Sequence, residues 1–262
     1  SETHKMLSKT YPYTILITED DDEVRCFLER ELSPHFKTRT AANGKDALRV
    51  LEEEEISLVV SDVMMPEMNG FELCRMIKSQ LPFSHIPVIL LTALTDERQR
   101  IFGITGGADD YIQKPFHTDY VKIKIIHLLQ ERQKLRERLL EKLRDNKLLL
   151  SEPEKVESID DAFLRKFAEQ IEAVYADPEY NVEKLSETLG LSRGHLHRKI
   201  KELTGTAPVE FLRTYRLNKA TQLLRQNAYT VSEVAYRTGF SSPAYFSKCF
   251  KAVYGVTPTE YQ

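Results

Sequence analysis

The 262 residues predict two domains of different class: an α/β domain on a five-stranded, doubly wound parallel sheet, then an all-α domain. Three observations predict this. Short β-branched apolar runs alternate with helix-spaced segments as far as residue 116 and then stop. Helical periodicity alone fills the remainder. The charge divides in the same place: residues 1–120 hold 13 Lys+Arg against 21 Asp+Glu, whereas 121–150 hold 9 against 4 and 181–262 hold 12 against 6. An acidic half and a basic half imply two different partners. No apolar run reaches membrane-spanning length and no signal-peptide pattern appears, so a soluble, cytoplasmic chain is expected. Cys26, Cys74 and Cys249 are far apart, odd in number and free of any C-x-x-C pair, which reads as reduced thiols.

The elements of the first half follow in order. Residues 13–17 predict the first strand, followed by the acidic run Glu19-Asp20-Asp21-Asp22 and a helix carrying Val24, Phe27, Leu28 and Leu32. Residues 36–40 are a second short strand, and Asn43-Gly44 opens a helix with Ala47, Leu48 and Leu51. The central strand, 58–61, runs into Asp62, and Asn69-Gly70 turns the chain into a helix with Phe71, Leu73, Met76 and Ile77. Residues 87–91 give the fourth strand, with a helix expected from 95 to 104. The fifth strand ends at Lys114-Pro115-Phe116.

In such a sheet ligands bind at the edge where the strands end. That edge collects Glu19 and Asp20, Asp62, Thr92 and Lys114. Alone, Asp62 reads first as a turn or cap residue. Together, the carboxylates would repel and raise one another's pKa unless a cation were present, and hard oxygen ligands suit Mg²⁺. An Asp carboxylate can act as nucleophile towards phosphorus, with a Lys ammonium and a Thr hydroxyl serving the transferred phosphoryl oxygens.

Residues 11–120 resemble the receiver domain of bacterial response regulators, a flavodoxin-like fold. The motifs are Ile15-Leu16-Ile17-Thr18-Glu19-Asp20-Asp21, the run from Ser61 to Gly70, Leu90-Leu91-Thr92-Ala93 and Lys114-Pro115-Phe116. The resemblance implies that Asp62 accepts a phosphoryl group from a histidine kinase and that Glu19, Asp20, Asp62 and the Met64 carbonyl bind Mg²⁺. It implies further that Thr92 and Lys114 contact the acyl phosphate, that Tyr111 is an aromatic switch, and that the Lys114–Pro115 peptide is cis. Glu19 departs from the family, which more often has Asp there.

Residues 121–158 read as a helical connector. From 119 to 150 the helical pattern holds neither Pro nor Gly, and Ile125, Leu128, Leu135, Leu139 and Leu149 share one heptad frame. A dimerising coiled coil is the preferred reading; an amphipathic helix packed on one domain is the alternative. Ser151-Glu152-Pro153-Glu154 ends it in a polar linker.

The second half shows no strand pattern. Helices are expected at 160–175, 181–189, 192–203, 207–226, 230–238 and 242–254. The segments from Val182 and from Val231 share one design: a short helix, a Gly-containing turn, a Ser N-cap and a second helix. Leu196, Ile200 and Leu203 form the predicted buried stripe of one second helix, and Phe246, Phe250 and Val253 that of the other. Outward residues with short or basic side chains fit a major groove, while Arg213, Arg216 and Lys219 are candidates for phosphates.

Residues 159–262 resemble the AraC-type DNA-binding domain, two helix-turn-helix units joined by a long helix. The resemblance rests on residues 231–251 and on Gly255-Val256-Thr257-Pro258-Thr259-Glu260-Tyr261. By position Arg193, Gly194, His197 and Arg198, with Ala244, Ser247 and Lys248, would face double-stranded DNA. The two resemblances together imply a phosphorylation-controlled transcription regulator, not an enzyme on an external substrate. A homodimer is expected, and RNA polymerase is a candidate partner. The domain order, and a first residue other than Met, fit the output end of a hybrid two-component regulator. A receiver that only dimerises, or an Asp-nucleophile phosphatase, are the competing classes.

Overall fold

The structure is a computed structural model that describes residues 5–93, 107–144 and 158–262. It divides into two compact units, residues 1–134 and 135–262.

The first unit holds five parallel strands, β1 (Thr14–Thr18), β2 (Lys37–Ala41), β3 (Leu58–Asp62), β4 (Val88–Thr92) and β5 (Asp110–Gln113), in the order β2-β1-β3-β4-β5. Strand β3 is buried along its whole length, as a central parallel strand covered on both faces must be. Edge strand β2 alternates and keeps only Ala41 buried. Helices α1 (Asp22–Leu32), α2 (Gly44–Glu53), α3 (Gly70–Ser79) and α4 (Thr118–Arg144) flank it. One face packs Ile15, Ile17, Val60 and Leu91 against Leu28 and Leu32 of α1 and Val121, Ile125, Ile126 and Leu129 of α4. The other packs Leu16, Val59 and Leu90 against Ala47 and Leu51 of α2 and Leu73 and Ile77 of α3. The helix expected at 95–104 and the polar linker at 151–158 fall largely or wholly outside the described residues.

Helix α4 corrects the coiled-coil frame. Ile125, its first predicted seam residue, is fully buried in the core under the sheet and Leu128 packs against that core, so neither is presented to a second helix. A heptad pattern reports an apolar stripe but not what covers it. Leu135 is 55 % exposed, so any seam begins there.

The second unit is helical: α5 (Ile159–Val174), α6 (Val182–Leu189), α7 (Arg193–Thr204), α8 (Pro208–Arg225), α9 (Val231–Arg237), α10 (Pro243–Tyr254) and α11 (Pro258–Tyr261). Side-chain caps from Ser158, Asn181, Ser192, Thr230, Ser242 and Thr257 start six of them. Helix α6 ends on left-handed Gly190 (φ 68°). Leu217, Ala220 and Leu224 of α8 pack with Val234, Phe240, Phe246 and Phe250 to form the core of the second helix-turn-helix. Among the described residues no helix is long and apolar enough to cross a membrane.

Candidate functional site

Main-chain register assembles the acidic edge. Thr18 pairs with Ser61, Asp62 with Leu91, and Thr92 with Gln113, so the residues just past these positions converge. The Lys114 amide continues the ladder by donating to the Thr92 carbonyl at 2.7 Å, and the Lys114–Pro115 peptide is cis. Helix α3 starts hard against the strand end. A Cβ on Gly70 would lie 2.2 Å from the Asp62 carbonyl oxygen, which is why only glycine follows the Asn69 cap.

Lys114 Nζ stands 2.8 Å from Asp62 Oδ1 and 3.2 Å from Glu19 Oε2. Asp62 and Glu19 are only 6 % and 2 % exposed, and carboxylate oxygens of Glu19, Asp20 and Asp62 lie within 4.8 Å of one another. One half-buried ammonium thus answers two buried carboxylates, with the exposed Asp20 beside them. Burial first, and the Asp62 charge second, push Glu19 above the ordinary carboxylate range, against the pull of Lys114. Burial works against the Lys114 ammonium, but the hydrogen bond and charge of Asp62, then of Glu19, outweigh it and hold its pKa above the usual lysine value. A surplus of negative charge with oxygen-only donors is the chemistry of a hard divalent cation site, and Mg²⁺ fits it.

The acidic run divides its labour. Asp21 caps α1, accepting from the amides of Glu23 and Val24 at 2.9 and 3.1 Å. Asp22 pairs with Arg25. Arg25 also donates to the Glu19 carbonyl at 2.7 Å and the Asp20 carbonyl at 3.4 Å, tying the acidic loop to α1. Sequence reading passed over Arg25; its place one turn into the helix after the acidic run was the available signal. Thr92 is half-buried at the end of β4, and Met64 is 67 % exposed in the loop after β3. Tyr111 lies half-buried against the α3 face, its phenol pushed up to about 12 by burial and then by Cys74.

On the helical side Arg193, Gly194 and His197 are exposed on α7, with Arg198 half-buried. Arg193 pairs with Glu183 at 2.6 Å, and Arg198 donates to the Gly194 carbonyl at 3.4 Å. On α10 Ala244 and Lys248 are exposed and Ser247 half-buried. Leu203 is only half-buried and Val253 is 51 % exposed; Lys199 with Thr204, and Cys249, complete the two buried stripes instead. Two phosphate candidates are committed within the protein. Arg216 donates to the Tyr175 and Asp177 carbonyls at 2.7 Å each, and Lys219 pairs with Glu172 at 2.9 Å. Arg213 stays half-exposed beside Glu210 and Tyr245.

Residues 15–126 match the family described as "Response regulator receiver domain", and residues 185–262 the one described as "Helix-turn-helix domain". The chain carries a response-regulator receiver domain followed by a helix-turn-helix domain of the AraC type. It is 39 % identical over 249 residues to "Histidine kinase P4" of Formosa agariphila, covering 95 % of this chain and 18 % of that one. It is 43 % identical over 121 residues to "Transcriptional regulatory protein GltR" of Pseudomonas aeruginosa, covering 46 % and 50 % respectively. A solved receiver domain of a signal transduction histidine kinase from Syntrophus aciditrophicus is 38 % identical, covers 45 % of this chain and 91 % of its own, and gives a TM-score of 0.44. The chain therefore spans half or less of the curated relatives it matches first.

Proposed function

We propose that this chain is a transcription regulator switched by phosphorylation of Asp62. The single observation that carries the reading is the Asp62–Lys114 contact, set among surplus carboxylates at the strand ends of a receiver domain. The phosphoryl group passes from a kinase phosphohistidine to an Asp62 carboxylate oxygen. A P–O bond forms as the P–N bond breaks, and the imidazole nitrogen keeps the electron pair. Glu19, Asp20, Asp62 and the Met64 carbonyl would hold Mg²⁺, which when bound supplies charge neutralisation at the phosphoryl oxygens. Lys114 contributes a point charge to the same oxygens and Thr92 a hydroxyl. Phosphorylation adds roughly -1.5 to -2 charge at this edge. Rotation of Tyr111 with Thr92 then alters the face made by the last helix, α4, and strand β4 and, through it, pairing of two chains along α4.

The output is sequence-specific binding of double-stranded DNA by α7 and α10, with Arg193, Gly194, His197 and Arg198 at one groove and Ala244, Ser247 and Lys248 at the next. The match to a protein named a histidine kinase, of which this chain spans 18 %, supports placing it at the output end of a longer sensor. The test is intact-mass analysis with Mg²⁺ and a small-molecule phosphoryl donor, run beside operator binding. Wild type gains one phosphoryl group and its DNA affinity changes. Asp62→Asn gains none and its affinity stays fixed. Labelling that survives in Asp62→Asn defeats the assignment.

A further inference from the structure

Residues 158–180 lie ahead of the matched helix-turn-helix segment, yet they hold α7, α8 and the turn at Gly239. In the first turn of α5, Asp160 accepts from Lys199 Nζ at 2.7 Å. Lys199 belongs to α7, is fully buried, and holds its ammonium 5.3 Å over the Phe163 ring. In the middle of α5, Phe167 meets Phe211 of α8 edge-on at 4.8 Å. In the last turn Glu172 accepts from the Tyr215 hydroxyl and from Lys219 Nζ on α8. Just beyond, the Tyr175 carbonyl receives Arg216 and presses on the turn of the second helix-turn-helix. A Cβ on Gly239 (φ 82°) would lie 2.1 Å from that oxygen.

Stability alone is a poor reason for such pins. At the Lys199 pin, desolvating the lysine and its carboxylate costs about as much as their pairing returns, and the half-exposed Glu172 pin is worth little by itself. What an ion pair adds is a required geometry, since a buried ammonium accepts only the arrangement that brings its carboxylate. Asp160 and Glu172 are about 18 Å apart along α5 at 1.5 Å per residue. Helix α8 by itself joins the two reading units end to end; α5 is pinned to the first at Lys199 and to α8 at Tyr215 and Lys219, and Tyr175 just past it meets the turn of the second at Gly239.

We propose that α5 and the loop to residue 180 are a strut. It fixes the separation and angle of α7 and α10, with Asp160–Lys199 and Glu172–Lys219 as its two pins. It thereby sets the spacing between the two major-groove segments that one chain accepts. Lys199 and Glu172 are positioning residues that touch no DNA. The proposal rests on the DNA-binding reading above.

The experiment uses the whole chain and a site selected from random duplex DNA, into which one or two base pairs are inserted between the contacted segments. Each inserted pair shifts the second segment by ~3.4 Å and turns it by about 35°. Wild type should lose about tenfold in affinity per inserted pair, the scale of one mismatched base pair. Lys199→Met and Glu172→Gln should bind the uninterrupted site within about threefold of wild type, but lose less than about threefold on insertion. If either variant unfolds by circular dichroism, Tyr215→Phe, which removes one bond at the Glu172 pin, takes its place. Variants that keep the wild-type insertion penalty overturn the strut, as does a wild type indifferent to insertion. A wild type that selects no DNA sinks the DNA-binding reading itself, and the strut with it.

Discussion

The two halves bury charge in opposite ways. In the receiver half one ammonium, Lys114, answers the carboxylates of Glu19 and Asp62, with Asp20 beside them. In the helix-turn-helix half Lys199 is matched by Asp160 and Lys219 by Glu172, each ammonium backed by an aromatic face. Matched charge is scaffold, because nothing further need bind for it to be satisfied. Surplus charge of one sign is a site, because the fold carries an electrostatic debt that a cation relieves.

Removing one carboxylate should therefore have opposite signs in the two halves. Asp160→Ala strands a fully buried ammonium and should lower the opening free energy of α7, read by native-state hydrogen exchange, by about 3–5 kcal/mol. Glu19→Gln should instead raise that of β1 at neutral pH without divalent cation. A carboxylate with a raised pKa costs the fold stability once it ionises, so the gain should vanish as pH falls below the ordinary value of 4.5. The same sign for both changes would break the distinction. Next in size, Arg25→Ala leaves every acid in place but frees the Glu19 and Asp20 carbonyls. Calorimetric Mg²⁺ affinity should fall about tenfold, as it does when the support behind metal ligands is lost, with unfolding in EDTA little changed. Smallest is the acid limb of the helical half. Backbone and hydroxyl bonds from Thr230 and Thr257 hold Glu233 and Glu260 below the carboxylate value of 4.5. Their contribution is present above that pH and is lost as pH falls through the lowered values. Glu233→Gln with Glu260→Gln should flatten the fall in melting temperature between about pH 5 and pH 3.

What could be read from the sequence follows the same division. Strands β1, β3 and β4 announced themselves as unbroken apolar runs, and site chemistry demands fixed residue types at strand ends, so Glu19, Asp62 and Lys114 were legible before any coordinates. In the second half the Ser192 cap was legible, whereas the repeat points to Ser241 as the second cap and the structure caps α10 from Ser242 instead. Helix α11 was not drawn although Thr257-Pro258 with Glu260 spells a capping box. Lys199, Arg216 and Lys219 were misjudged or passed over for one reason. A helical wheel sorts side chains by type, and a long cation goes inward only when an acid or carbonyl some 40 residues away waits for it. That partner is a tertiary fact.

Helix α4 carries a consequence of its own. Domain boundaries ordinarily fall in flexible linkers, whereas here the division between compact units lies between Lys134 and Leu135, inside one continuous helix of 27 residues. Its first turns melt only with the receiver core, since Val121, Ile125 and Leu129 belong to that core. A helical segment of ~15 residues severed from such an anchor is marginal in water, because the first turn is costly to nucleate. The turns of α4 past Leu129 therefore depend on the first unit's core for their nucleus, and denaturant that dissolves that core shortens the helix with it.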